Sequence, residues 1–280
     1  MKKIFLSFFV TLVVSLQSLS AQNPIALHKV WETPEGLNVP ESSHYNVFDR
    51  FIYVSNVVGK PDAKDSVGYI SKLDTKGHFV QKEWFSGLNA PKGIACTATH
   101  LYVTDINRVV EIDLKTAKIR KEYRNSKSRS LNDISISPDG RVFVSDSGGN
   151  CIFVVSGDSL AVFLESAQLK SMNGILATKD RLFLGSKGNF ISIDSATKEL
   201  RVECENVGYL DGIVQIAGGK FITSNWQGKI QLIESGKGAQ LLLDTTPLKI
   251  NAADLGYIPS KKLLLVPTFY LNTVVAYRLK

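Results

Sequence analysis

Three side chains that carry a cation-binding oxygen, Asn132, Asn173 and Asp211, stand at one position of a phrase that returns along the chain. The phrase is a small or polar pair, an aliphatic residue, a turn, and then a strand with Leu or an aromatic in its middle. It reads KGIACTATHLYVTD from Lys92, NDISISPDGRVFVSD from Asn132, NGILATKDRLFLGS from Asn173 and DGIVQIAGGKFITSN from Asp211, with a weaker ADLGYIPSKKLLLVP from Ala253. These anchor positions are 40, 41, 38 and 42 residues apart. Placed on a ring, the three oxygens converge on one point. Hard cations such as Ca²⁺ take carboxylate and amide oxygens, whereas transition metals favour His or Cys, which no anchor supplies. Asn-Gly and Asp-Gly are also common turn pairs, chosen for backbone shape. That reading serves any single anchor, but it does not ask for three polar oxygens at matched places in successive units.

The elements that must hold these residues are strands. Within each unit the apolar period is two, as in Leu101-Tyr102-Val103 and Val109 to Asp113, and turns such as Pro138-Asp139-Gly140 separate the runs. No stretch carries a sustained helical stripe. A first copy, SHYNVFDRFIYVSN, starts at Ser43, 49 residues before Lys92, with Val58 to Ser66 read as an inserted loop. Six units with about four strands each predict an all-β, six-bladed β-propeller with four antiparallel strands per blade, occupying residues 22–280 as a single domain. A propeller must hide its sheet edges. Ala26 to Glu32 is therefore expected to complete the sheet that ends in Thr273 to Leu279.

These residues resemble the senescence marker protein/gluconolactonase family, which includes regucalcin, over the whole of residues 22–280. The likeness is carried by Glu41-Ser42-Ser43-His44-Tyr45 followed by Phe51 to Val54, by Asn132-Asp133, by Asn173-Gly174-Ile175 and by Asp211-Gly212-Ile213. The resemblance implies one divalent metal ion held by Glu41, Asn173 and Asp211, with Asn132 beside it touching substrate or water. Ca²⁺ is the first choice, and Zn²⁺, Mg²⁺ and Mn²⁺ also suit an all-oxygen site. It implies hydrolysis of a small lactone or sugar-derived ester, the metal acting as Lewis acid and Asp211 also as general base. Glu41 falls two residues before the anchor position of the first unit, so the repeat alone does not nominate it. Where sugar-lactone hydrolases of that family carry a substrate-binding Arg, this chain has Ser130. His44 and Trp226 are further candidates to face substrate, Trp226 being equally readable as a packing residue. The alternative is a propeller that binds a ligand or partner without catalysis.

The remaining features bound the setting. Lys2-Lys3, an apolar run from Ile4 to Leu16 and small residues at Ser18 to Ala21 have the layout of a secretory signal cut near Ala21, which implies a periplasmic or secreted protein that leaves the membrane after cleavage. The formal charge of +7 is scattered, and the one basic run, Lys118 to Arg129, lacks interleaved aromatics, so a nucleic-acid partner is not expected. Cys96, Cys151 and Cys204 are far apart and without CxxC or Cys/His pairing, and are read as buried apolar residues. A monomer is expected.

Overall fold

In the computed structural model, which describes residues 25–217 and 219–280, the strands run in sets of four, each hydrogen-bonded to the next. The signal segment and the cut near Ala21 lie outside the described residues. The second strands Ile52–Asn56, Val142–Asp146 and Leu263–Pro267 are buried at every position, since both faces of each sheet meet a neighbouring sheet. Alternate side chains then serve opposite neighbours. Ile52 and Val54 join a cluster with Ile258, Leu263 and Leu265 of the last blade, while Tyr53 joins Ile94, Leu101 and Val103 of the second. The outermost strands read differently. Gly238–Asp244 exposes its first four residues.

Six antiparallel four-stranded sheets result, a six-bladed β-propeller. Six apolar clusters fill the six gaps between blades, and the one joining the last blade to the first closes the ring. The helical content of the described residues is three short 3₁₀ turns, Thr246–Leu248, Pro259–Lys261 and Phe269–Leu271.

The last blade takes three strands from the C-terminal end and its fourth from the beginning of the described chain. Leu27–Glu32 runs antiparallel to Val274–Leu279, with Leu27 opposite Leu279 and Glu32 opposite Val275. Ala26 and Lys280 exchange two backbone hydrogen bonds of 3.1 Å, and Trp31 packs on the closing cluster. The closure expected from the sequence is therefore present. The inserted loop is present too, between Asn56 and Gly68 in the first blade.

Candidate functional site

The inner strands carry the anchors, and four of them are bulged at the same step. Pro40 faces Asn56 and Ser43 faces Val54. In the next blades Pro91 faces Asp105 and Ile94 faces Val103, and Leu131 faces Asp146 and Ile134 faces Val144. In the fifth, Leu210 faces Asn225 and Ile213 faces Thr223. Three residues on the inner strand thus answer two on its partner, which is a β-bulge that turns a side chain out of the regular alternation. The bulged pairs are Glu41-Ser42, Lys92-Gly93, Asn132-Asp133 and Asp211-Gly212. This corrects the sequence reading of Glu41. Aligning copies on the phrase beginning at Ser43 set it two residues off the ring, whereas strand pairing makes it the strict counterpart of Lys92, Asn132 and Asp211.

The glycines after the anchors are likewise not turn residues. A Cβ on Gly174 would lie 2.2 Å from the carbonyl oxygen of Asp211, and one on Gly212 would lie 2.2 Å from the amide nitrogen of Leu255. Neither needs left-handed backbone. Glycine is demanded there because the next blade's backbone comes that close, so the Asn-Gly and Asp-Gly pairs mark where inner strands crowd the axis.

A second set of positions escaped the sequence reading. Four of the six second strands end in a hydroxyl followed by an amide or acid: Ser55-Asn56, Thr104-Asp105, Ser145-Asp146 and Ser224-Asn225. The hydroxyls stitch the ring. Thr104 Oγ1 donates to the Asn132 carbonyl, Ser145 Oγ to the Asn173 carbonyl at 2.6 Å, and Ser224 Oγ to the Ala253 carbonyl at 2.7 Å. The acids hold the incoming loops: Asp105 accepts from the amides of Asn89 and Ala90, and Asp146 from those of Arg129 and Ser130. The signal was legible as a repeated Ser/Thr-Asp/Asn pair following the apolar strand.

At the ring, Glu41 is 5% and Asp211 2% exposed. Asn173 Nδ2 donates to Asp211 Oδ1 at 2.6 Å, which turns Asn173 Oδ1 away from that carboxylate. Asn173 Oδ1, Asn132 Oδ1 and Glu41 Oε2 are all buried with no donor. Such acceptors are rare in folded proteins and cost about 1–3 kcal/mol each when left unpaired. Burial pushes the Asp211 carboxyl up to about 7, while the Lys92 ammonium and the Asn173 hydrogen bond pull it back. Burial also drives Glu41 well above the usual carboxylate range, with the Asp211 charge adding to the push and Lys92 opposing it. Lys92 therefore places its positive charge within reach of both carboxylates. Among the described residues no trio of His, Cys, Asp and Glu is gathered to hold a metal. A cation here would have to draw on the amide oxygens as well as the carboxylates, and Asn132 Oδ1, Asn173 Oδ1 and Glu41 Oε2 are the atoms that lack partners.

Behind the ring the channel widens to a cavity of about 300 Å³ lined in part by His44, Tyr45, Cys96, Asp133, Ile136 and Asp254. Asp133 and Asp254 are buried structural bridges. Asp133 accepts from the amides of Ile134 and, across the blade gap, Ile175, both at 2.7 Å. Asp254 Oδ2 accepts from Ser42 Oγ at 2.5 Å, and its amide donates to the Glu41 carbonyl at 2.9 Å, tying the last blade to the first.

The other sequence candidates fall in three places. His44 lines the cavity, three residues beyond Glu41 and so roughly 10 Å down the strand. Burial lowers its pKa to about 4, leaving the ring neutral near pH 7. Ser130 sits at the entry to the third inner strand and uses its backbone. Its amide donates to Asp146 Oδ1 at 2.8 Å, and its carbonyl accepts from the Ser147 amide at 3.0 Å. Trp226 stands on the mouth side, one residue past Asn225, where its carbonyl accepts from Asn251 Nδ2 at 2.9 Å.

No family model matches the chain, and no curated protein matches it. Among solved structures, that of a streptogramin B lyase superposes with a TM-score of 0.63 over 91% of this chain and 98% of the other, at 15% identity. At that identity the likeness is one of fold, and one propeller frame hosts many activities.

Proposed function

We propose that the chain is a metal-dependent hydrolase of lactones or related esters, working at the mouth of the central channel. The observation that supports it is the ring of buried acceptors without donors: Glu41 Oε2, Asn132 Oδ1 and Asn173 Oδ1, with Asp211 between blades that crowd the axis. Glu41, Asn173 and Asp211 suit a single divalent ion of the Ca²⁺ type, because the donor set is carboxylate and amide oxygen only. A bound ion of that kind supplies Lewis-acid polarisation of a carbonyl.

The chain's own groups account for the rest. Asn132, next to Asn173 in the ring, offers an acceptor for a substrate hydroxyl or the attacking water. Asp211 takes the proton from that water as its oxygen adds to the carbonyl carbon, and returns it to the alkoxide oxygen released when the acyl C–O bond breaks. In the ion-free protein burial raises this carboxylate's affinity for a proton toward neutrality, and a bound cation would lower it again. Lys92 limits that rise and keeps part of the carboxylate population ionised. Gly174 and Gly212 fix the distance between the blades that carry these groups.

The test is turnover of a small lactone panel by the protein with Ca²⁺, with chelator, and as Asp211→Asn. Hydrolysis that needs both the ion and Asp211 is the expected result. Absence of turnover, with folding and Ca²⁺ binding intact, would replace the hydrolase with a ligand-binding propeller. The small-molecule substrate, the monomeric state and a place outside the cytoplasm belong to the same proposal.

A further inference from the structure

The sixth position of the ring is Asp254, not the Ala253 that the sequence phrase marks. Gly256 faces Leu265 as Ser43 faces Val54, and the Ala253 amide donates to the Pro267 carbonyl at 3.0 Å, so Ala253 answers to Pro40 and Asp254 to Glu41. Asp254 is 8% exposed and its carboxylate is taken up by Ser42 Oγ. Above the seam between the fifth and sixth blades the mouth carries aromatic side chains. Trp226 is 38% exposed and meets Phe269 edge-on at 5.6 Å and 77°, and Tyr270 at 5.9 Å and 80°. Tyr270 is 66% and Tyr209 59% exposed, while Phe269 is buried beneath them. Leu210 pairs with Asn225 at the mouth end of the fifth blade, and Tyr209 and Trp226 each flank that pair.

These residues are pinned to the site. The Trp226 carbonyl is bonded to Asn251 and to the amide of Ala252, two residues before Asp254. The loop bearing Phe269 and Tyr270 is fixed from both ends. Thr268 Oγ1 accepts from the Thr273 amide at 3.0 Å, and Asn272 Oδ1 accepts from the amide of Val39, two residues before Glu41, at 2.7 Å. Phe269 itself holds φ 51°, left-handed backbone that a bulky residue adopts only at a cost of about 1–2 kcal/mol. A strained residue locked beneath two half-exposed rings is a preorganised wall, and ordering it costs nothing at the moment of binding.

We propose that Trp226 and Tyr270, with Tyr209 beside them, bind an apolar ring substituent of the substrate, so that the site takes aryl-substituted lactones or esters in preference to small unsubstituted ones. This rests on the hydrolase reading for its reaction but not for its binding geometry. With the carbonyl at the ring of oxygens, a substituent directed over the seam between the fifth and sixth blades lies against the exposed faces of Trp226 and Tyr270. Aromatic pairs of this kind contribute about 0.5–1.5 kcal/mol beyond area burial.

The experiment separates binding from turnover. 3-Phenylcyclopentanone, a ketone with no ester to cleave, and plain cyclopentanone are titrated by calorimetry into the protein, Trp226→Ala, Trp226→Phe and Tyr270→Ala, with circular dichroism confirming the fold. A phenyl-substituted γ-butyrolactone and its unsubstituted parent are compared for kcat/KM. The expected result is a tenfold or greater loss of phenyl-ketone affinity in Trp226→Ala and retention in Trp226→Phe. Tyr270→Ala should show a smaller loss, and kcat/KM should fall for the phenyl lactone alone. Phenyl-ketone binding that depends on Trp226 without any turnover would support the wall and sink the hydrolase. Affinity unchanged in Trp226→Ala, equal losses on both lactones, or a self-association that Trp226→Ala abolishes would overturn the wall.

Discussion

Replacing Asp211 by Asn should stabilise the ion-free protein, against the usual direction for a buried polar substitution. The carboxyl has a folded pKa of about 7, raised by burial, against roughly 3.9 in an unfolded chain. A folded state that holds its proton more tightly is at full stability below about pH 4. It loses stability as pH rises through the window between those values, and stays lower above it. About three pKa units amount to up to about 4 kcal/mol by pH 8. Asn has nearly the same shape, can still accept from Asn173 Nδ2, and carries no charge to desolvate. It also removes the repulsion felt by Glu41, while giving up the attraction to Lys92. Urea unfolding in chelator at pH 4 and at pH 8 measures the effect. The variant should match the parent at pH 4 and exceed it at pH 8. A variant less stable than the parent at pH 8, or an offset equal at both pH values, would refute an uncompensated buried carboxylate at this position. Adding Ca²⁺ at 100 times its Kd should narrow the gap at pH 8, because only the parent gains the roughly 2.7 kcal/mol of linked binding.

Three further outcomes follow from the same geometry. Lys92→Met removes a positive charge that acts on both Glu41 and Asp211, so Ca²⁺ affinity measured by calorimetry should tighten roughly tenfold, equivalent to about 1.4 kcal/mol; unchanged affinity would place the ammonium outside the ring. Gly174→Ala puts a methyl 2.2 Å from the Asp211 carbonyl oxygen, a backbone contact that cannot yield cheaply, and should cost more than about 3 kcal/mol in chemical denaturation. Deleting residues 25–32 strips the last blade of its outer strand and bares Val274–Leu279 as an edge, so a large fall in melting temperature or aggregation is expected, and an unchanged melt would show that the ring does not need this closure.

The fold was legible because a blade is a local unit repeated, and repetition shows itself without any long-range contact. Spacings near 40 residues and strands of period two sufficed for blade number and for the closing strand. The ring of anchors was only partly legible, for a physical reason. A bulge adds one residue to the inner strand, and its place is set by pairing with the second strand, not by anything in the inner strand alone. Glu41 was therefore set two residues out of register until Pro40 was seen opposite Asn56. Asn173-Gly174 and Asp211-Gly212 have the composition of turns, and only the neighbouring blade's backbone reveals that the glycines answer crowding. Lys92 appeared as one more anchor, while its electrostatic hold on two carboxylates needed three dimensions. His44, near Glu41 in sequence, belongs to the channel beyond the mouth because a strand moves away about 3.3 Å per residue.

The closing strand sets an order of events on the chain. Leu27 is among the first described residues to be synthesised and its partner Leu279 among the last. At about 5–20 residues per second, the first strand waits on the order of ten to fifty seconds for that partner. During that interval the five intermediate blades can stack on one another through local contacts, but the sixth cannot form. Glu41 and Asp211 stand on opposite sides of this seam, in the first and fifth blades. The oxygens that would share an ion are brought round the axis to each other only when residues 256–279 join the first strand, so a chain that stopped before them would be an open arc of blades without a binding centre.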